Sequence, residues 1–139
     1  MRLWHESLIP YLPRQQLLGQ HRECCALRGN GWGKSHATVN YVFTHPRVWL
    51  WAYHRKVLDE MLHRGYHPDI DWMSMFYRGK YTFPDYEMLN KDFDYAVKHM
   101  GRQLVYPEHN DAYLKECIQN LQGKGVDMNR AIKDLGVIL

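Results

Sequence analysis

Two stretches of the chain begin at a proline and end before a glycine, and this pattern constrains the possible folds more than any other feature of the sequence. Pro13 suits the first turn of a helix, and good helix formers follow to about Leu27, just before Gly29. Pro46 and Gly65 bracket a second stretch, whose apolar residues recur at helical spacing: Val48, Trp51, Leu58, Met61 and Leu62. The sequence therefore predicts two long helices.

The second half of the sequence carries two further helical patterns. The stronger one runs from Asn110 to Leu121, with a capping residue at its start and Gly123 beyond its end, and the weaker one runs from Asp85 to Met100. The short stretch Val39 to Phe43 is a candidate strand or an extended lead-in to the second helix. No repeat or linker divides the 139 residues. The prediction is a mainly α fold, with a single compact helical domain over residues 1–139 and long loops.

Composition excludes several classes of protein. Hydrophobic residues make up 45% of the chain and aromatic residues 14%, which argues against disorder. No apolar run approaches the roughly 18 residues of a membrane span, and residues 1–12 lack the apolar core of a signal peptide. Cys24, Cys25 and Cys117 form no CxxC pair, so we expect reduced thiols. The expectation is a cytoplasmic monomer, bacterial or viral and associated with the nucleoid, with no membrane contact.

Positive charge is concentrated in the first part of the chain. Residues 1–58 contain eight Lys or Arg and two Asp or Glu, a net charge of +6, whereas residues 59–139 have a net charge of −3. Such a field favours an anionic partner at the N-terminal part, although a solvated basic surface without a partner is equally compatible with the count.

The glycine-rich stretch Gly29 to Ser35 resembles a phosphate-binding P-loop but departs from that motif. A glycine is required five residues before Gly33, where this chain has Arg28, and a strand is required before the loop, where a helix is predicted. The loop is either a plain connection or a flexible segment whose Arg28, Lys34 and His36 contact the phosphates of a polymer.

Other reactive side chains give little support for a metal or a covalent nucleophile. Gly65 interrupts the helix between His63 and His67, and no HExxH or Cys/His cluster accompanies them, so we predict no metal and no cofactor. The sequence has no GxSxG motif, and Cys24 and Cys25 have the character of core residues in the first helix.

One face of the first helix is polar. Its residues recur at spacings of three and four: Gln15, Gly19, Arg22, Glu23 and Ala26. A glycine inside a helix costs about 1 kcal/mol relative to alanine, and here it leaves a gap beside Glu23 that another backbone can approach. The pattern alone is also compatible with a solvated face that carries an Arg/Glu pair.

The stretch from Leu8 to Glu23 resembles the N-terminal helix of the pyrimidine-dimer DNA glycosylases of the phage endonuclease V type, without a gap. Weaker similarity follows at residues 36–42, 56–66 and 77–81, so the resemblance is clearest over residues 1–121. By this resemblance the partner is damaged duplex DNA, and the activities are those of a glycosylase and an AP lyase.

The resemblance also implies roles for individual residues. Glu23 is the catalytic carboxylate, and the nucleophile is the α-amine of the chain, which forms a Schiff base with the deoxyribose. Arg2 and Arg22 clamp phosphates, while Gln15 and Gln16 reach the DNA backbone. An α-amine suits the task, because its usual pKa is about 7.7 to 8.0 against about 10.4 for lysine.

Two features depart from the family pattern. Arg2 follows the initiator methionine, which is usually retained before so bulky a side chain, so the nucleophile is expected to be Met1 itself. Ala26 stands in place of a basic residue, and the family's aromatic and basic C-terminal segment is not recognisable in residues 123–139. The alternative function is a non-enzymatic or altered-substrate DNA-binding protein on the same fold.

Overall fold

The computed structural model describes residues 1–86, 88, 90–99 and 104–139, and the regular elements of these residues are all helical. The mainly α prediction is therefore confirmed. The described residues form five α-helices: α1 (Arg14–Arg28), α2 (Arg47–His63), α3 (Asn90–His99), α4 (Asp111–Gly123) and α5 (Asn129–Leu135). Three 3₁₀ segments lie between or before them: Glu6–Tyr11, Asn40–Thr44 and Ile70–Met73.

The helices whose ends are marked by local chemistry are those that the sequence predicts best. Pro13 and Pro46 occupy the N-cap positions of α1 and α2. The side chain of Asn110 caps α4 by accepting a hydrogen bond from the backbone N–H of Tyr113 at 2.9 Å. Each of these residues acts within one helical turn of its own position, so the sequence alone is sufficient to identify it.

Two predicted elements are corrected by the structure. The candidate strand at residues 39–43 is a 3₁₀ turn in which the N–H of Val42 donates to the carbonyl of Val39, and the two valines are fully buried without a partner strand. The third helix begins at Asn90 rather than Asp85, because Asp85 is tied to the preceding loop by its N–H bond to Phe76 and its ion pair with Arg47. The predicted end at Met100 lies outside the described residues.

The core lies around α2, which packs against α1, α3 and the 3₁₀ segment Glu6–Tyr11, while α5 packs against that same segment. Tyr53 of α2 and Tyr106, just before α4, are the largest fully buried side chains. Cys24 and Cys117 are buried, Cys25 is half-buried, and all three are free thiols. No helix within the described residues is long and apolar enough to cross a bilayer.

Candidate active site at the N-terminus

A cavity of about 270 Å³ lies at the beginning of the chain. It brings together Met1, Arg2 and Glu23, three residues that the sequence predicts to act together. The remaining lining residues come from the N-terminal tail, the loop after α1 and the end of α4: Trp4, Thr38, Asn120 and Lys124. The cavity therefore joins an α-amine, a carboxylate and two further cationic side chains.

The N-terminal tail has no regular structure, yet side chains from other parts of the chain bind its backbone. The first four carbonyl oxygens each accept a hydrogen bond, and the donors are, in order, Thr38 Oγ1, Gln20 Nε2, the Tyr113 hydroxyl and the Tyr53 hydroxyl. Fixing a backbone costs about 1 to 2 kcal/mol per residue in conformational entropy, which these bonds offset. The tail thus enters the cavity in one defined conformation.

The tail is anchored a second time at Glu6, whose side chain is buried. Its carboxylate lies 2.7 Å from Lys56 Nζ and accepts hydrogen bonds from the backbone N–H groups of Val105 and Tyr106. A buried charge is costly unless it is paired and hydrogen-bonded, and Glu6 meets both conditions. It thereby joins the tail to α2 and to the segment that precedes α4.

His109 completes this anchor as a neutral ring. Its Nδ1 accepts from the N–H of Glu6 at 3.1 Å, so the ring proton is on Nε2, which lies 2.7 Å from the Tyr41 hydroxyl. Burial lowers the pKa of His109 to about 2. Its 3.5 Å contact with the Glu6 carboxylate is consequently not an ion pair.

Glu23 lies half-buried on the α1 face that borders the tail. Burial raises the pKa of its carboxyl group, and the positive N-terminus, the Arg2 backbone, Arg22 and His36 oppose this effect. Gln20 Nε2 donates to Glu23 Oε2 at 3.0 Å. A partly desolvated carboxylate beside an amine is suited to both electrostatic stabilisation of a cation and proton transfer.

The predicted DNA-contacting residues differ in accessibility. Arg22, Gln15, Lys34 and His36 are exposed, while Gln16 is half-buried. Arg2 is also half-buried, and its guanidinium lies 3.4 Å from Glu116 and near the rings of Trp4 and Tyr113. A Cβ at Gly19 would lie 3.7 Å from the Arg22 guanidinium, so the gap predicted at Gly19 adjoins the Arg22 side chain.

The loop after α1 is tightly turned. The N–H of Gly31 donates to the carbonyl of Ala26, and a Cβ at Gly31 would lie 2.7 Å from that oxygen, so only glycine fits there. Gly33 has a φ of 80°, the left-handed region that favours glycine. After these two glycines the chain reaches the N-terminus, where Thr38 binds the Met1 carbonyl and His36 acts on Glu23.

Arg28 is buried, whereas the DNA-binding prediction requires an accessible side chain. It is only 5% exposed, and its guanidinium donates to three backbone carbonyls, those of Trp72, Ser74 and Tyr77. It also lies over the Trp72 ring at 4.9 Å. The guanidinium of Arg28 is thus bound within the protein, and the phosphate contact expected of it stays a prediction that its burial does not favour.

Ion pairs neutralise part of the positive charge of the first 58 residues. Lys56 is paired with Glu6 and Arg47 with Asp85, while Arg55 lies 3.5 Å from Asp59. Exposed cations remain at Arg14, Arg22 and Lys34. The surface that a polyanion can reach is therefore smaller than the count of charges suggests.

Three potential metal ligands that the sequence did not bring together, His21, Cys25 and His54, have donor atoms within 4.8 Å of one another. Arg28 Nη1 donates to His54 Nδ1 at 2.9 Å, so the proton of that neutral ring is on Nε2, which donates to His21 Nδ1 at 2.8 Å. Burial lowers the pKa of both histidines and keeps them neutral. The Nδ1 lone pairs of the two histidines are occupied, and a fixed guanidinium lies beside them. The cluster is a hydrogen-bonded relay between α1 and α2.

Four residues of the candidate site were not predicted from the sequence: Gln20, which contacts Glu23, and Thr38, Asn120 and Lys124, which line the cavity. Gln20 lies one helical turn before Glu23, and this spacing is a usable signal. Asn120 and Lys124 are about a hundred residues from Glu23 in the sequence, and no local pattern connects them to it.

Comparison with known proteins assigns the family. The family model described as pyrimidine dimer DNA glycosylase matches residues 1–74, more than half of the 139 residues, and this range includes Met1, Glu23 and all of α1 and α2. No match was found among curated proteins or among solved structures. The chain belongs to the pyrimidine dimer DNA glycosylase family, and it is therefore a DNA-repair enzyme by family, with DNA as its substrate.

Proposed function

We propose that the protein removes a damaged pyrimidine from duplex DNA and then nicks the strand, using the α-amine of Met1 and the carboxylate of Glu23. The observation that carries this proposal is their common cavity, in which a tail anchored at four successive carbonyls ends beside a half-buried carboxylate. A protein that only binds DNA needs neither feature.

The first half of the reaction replaces the base by the amine. The α-amine nitrogen bonds to C1′ of the deoxyribose while the N-glycosidic bond breaks, and the base leaves with that electron pair and takes up a proton. Loss of the second amine proton and opening of the C1′–O4′ bond give the imine. The Glu23 carboxylate stabilises the cationic sugar that precedes these products.

The second half of the reaction is elimination. Glu23 removes a proton from C2′ of the imine, and the C3′–O bond breaks with the phosphate as leaving group, which nicks the strand. Hydrolysis of the imine returns the free amine. One cavity thus supports both glycosylase and lyase steps.

The cations around the cavity are suited to holding the phosphates on either side of the extruded nucleotide. Arg2 and Lys124 line the cavity itself, and Arg22 and Lys34 are exposed on α1 and the loop that follows it. Extruding a nucleotide costs a few kcal/mol, which phosphate contacts of this kind offset.

Borohydride trapping tests the proposal. Untagged protein with a verified free N-terminus is incubated with a duplex that contains an abasic site and then reduced, and peptide mass spectrometry locates the adduct. The expected adduct is on the α-amine of Met1, and acetylation of that amine abolishes it. Because Lys124 offers a second amine in the cavity, Lys124→Gln is the matched control and retains trapping. Absence of an adduct, or an adduct confined to Lys124, contradicts the proposed mechanism.

A further inference from the structure

Gln20 connects the two parts of the candidate site. Its side chain is 1% exposed and lies between α1, the tail and Tyr53. Its Nε2 donates to Glu23 Oε2 at 3.0 Å and to the Arg2 carbonyl at 3.1 Å. Its Oε1 accepts from the Trp4 N–H at 2.7 Å and lies 2.9 Å from the Tyr53 hydroxyl.

These contacts fix the orientation of the amide. The Trp4 N–H is only a donor, so the atom that faces it must be the Gln20 oxygen, and the NH₂ group therefore faces the Glu23 carboxylate and the Arg2 carbonyl, which both accept. Gln20 uses both hydrogens of its amide, and its oxygen accepts from the Trp4 N–H, while the single proton of the Tyr53 hydroxyl is donated to the Trp4 carbonyl. No rotation of the amide satisfies the same partners.

We propose that Gln20 is a positioning residue, which holds the Glu23 carboxylate ionised and at a fixed distance from the backbone of the tail that carries the α-amine. This inference rests on the proposed function. A tail anchor alone requires only the contacts with Arg2 and Trp4. The additional bond to Glu23 ties the nucleophile's tail and the carboxylate to one rigid group.

The hydrogen bond from Gln20 also affects the pKa of Glu23. Donation to a carboxylate stabilises its charged form, so Gln20 opposes the rise in the pKa of Glu23 that burial causes. Elimination requires the ionised form of Glu23, and loss of the donor should therefore displace the acidic limb of the rate profile to higher pH.

The test measures single-turnover nicking of an abasic-site duplex between pH 5 and pH 8 for two variants. Gln20→Met removes the donor and the acceptor, whereas Gln20→Glu keeps an acceptor for the Trp4 N–H and loses the donors. Both are expected to shift the acidic limb upward by about one pH unit or more, which is about a tenfold loss of rate below the limb. Gln20→Glu shifts it further, because it adds a second carboxylate.

Tyr53→Phe is the control for structural damage. It removes one contact of Gln20 and the anchor on the Trp4 carbonyl, and it leaves the bond between Gln20 and Glu23 in place. It should lower the melting temperature without moving the acidic limb. If the Gln20 variants also lower the melting temperature and leave the limb unmoved, Gln20 is structural and the inference is wrong.

A measurement on the wild-type protein covers the case in which neither Gln20 variant folds. The side-chain amide protons of Gln20, followed by NMR, should shift with the titration of the Glu23 carboxyl group and lose this response in Glu23→Gln. A Gln20 signal that does not respond to pH overturns the inference. A wild-type protein that responds in this way but nicks no abasic DNA contradicts the proposed function instead, so the two failures are distinguishable.

Discussion

Glu6 and Lys56 form an ion pair of 2.7 Å in which the carboxylate is almost fully buried and the ammonium group is nearly so. Substituting Glu6→Gln leaves Lys56 near an uncharged amide, and the single remaining oxygen cannot serve Lys56 and the Val105 and Tyr106 N–H groups together. Breaking a buried pair in this way typically costs about 3 to 5 kcal/mol, and denaturant unfolding measures it. The control is Asp59→Asn in the exposed Arg55–Asp59 pair, which should cost no more than about 0.5 kcal/mol. Equal losses in both variants would contradict the interpretation of Glu6.

Glu23→Gln should reduce strand cleavage by about two orders of magnitude or more while leaving DNA binding and folding nearly intact. Glutamine keeps the length and the helix propensity of glutamate, and its oxygen can still accept from Gln20, so the free energy of unfolding should change by no more than about 1 kcal/mol. Removing a negative charge near phosphates should, if anything, strengthen binding. The matched control is Glu116→Gln, an exposed carboxylate near Arg2, which should retain cleavage. Equal rates for Glu23→Gln and the wild type would exclude Glu23 as the catalytic carboxylate.

Arg22→Ala and Lys34→Ala should weaken duplex binding at all sequences. Each should also reduce the slope of log K against log salt by about 0.9, the share of one phosphate contact. Their melting temperatures should be nearly unchanged, because both side chains are exposed. Salt titrations of binding test this prediction, and an unchanged slope in both variants would place the DNA on another surface.

For Arg28→Met we expect the opposite of the result for Arg22→Ala and Lys34→Ala: a lower melting temperature and an unchanged salt slope of DNA binding. It removes the donor of three partly buried carbonyls, so the melting temperature should fall by several degrees even though a similar length of apolar side chain remains. A folded and stable Arg28→Met with a reduced salt slope would instead restore Arg28 as a DNA contact.

Stability should decrease in mild acid. Burial lowers the pKa of four histidines in the folded protein: His5, His21, His54 and His109. Above the usual histidine pKa of about 6.5 the rings are neutral in both the folded and the unfolded protein, and the free energy of unfolding has its full value. Below it the unfolded chain binds protons that the folded chain does not, so the free energy of unfolding falls toward the folded pKa, by up to about 1.4 kcal/mol per pH unit for each fully buried ring.

His54→Gln tests the histidine assignment. Its amide can accept from Arg28 and donate to His21, so the relay is kept without a titrating ring. Denaturant unfolding between pH 8 and pH 5 should show a shallower loss of stability than in the wild type. The same pH dependence in both proteins would mean that His54 does not contribute to it.

The sequence predicted those parts of the fold whose causes are local. Pro13, Pro46 and Asn110 determine helix starts within a turn of themselves, and α1, α2 and α4 were predicted for that reason. The seven-residue α5 has no side-chain cap and was missed. Whether a helix was predicted thus depends on how close in the sequence the residue that stabilises its end lies.

The site follows the same rule. Met1 and Glu23 were predicted as site residues from a family resemblance, since an isolated Arg/Glu pair on a helix has no distinctive pattern. The buried position of Arg28 was not predicted, because the three carbonyls that it binds lie more than 40 residues along the chain, where no helical or strand period connects them. Lys124 enters the cavity from a greater distance in the sequence still.

The hydrogen bonds from Arg28 to residues 72–77 allow the sequence of that segment to change during evolution. Arg28 binds main-chain oxygens, which every amino acid provides, so the identity of the residues at positions 74 and 77 is not what maintains the hold. Substitutions can accumulate along that segment while its path across the end of α1 stays the same. The constraint falls instead on the arginine itself, because no other side chain offers enough donors to bind these three carbonyls and His54 Nδ1 at once.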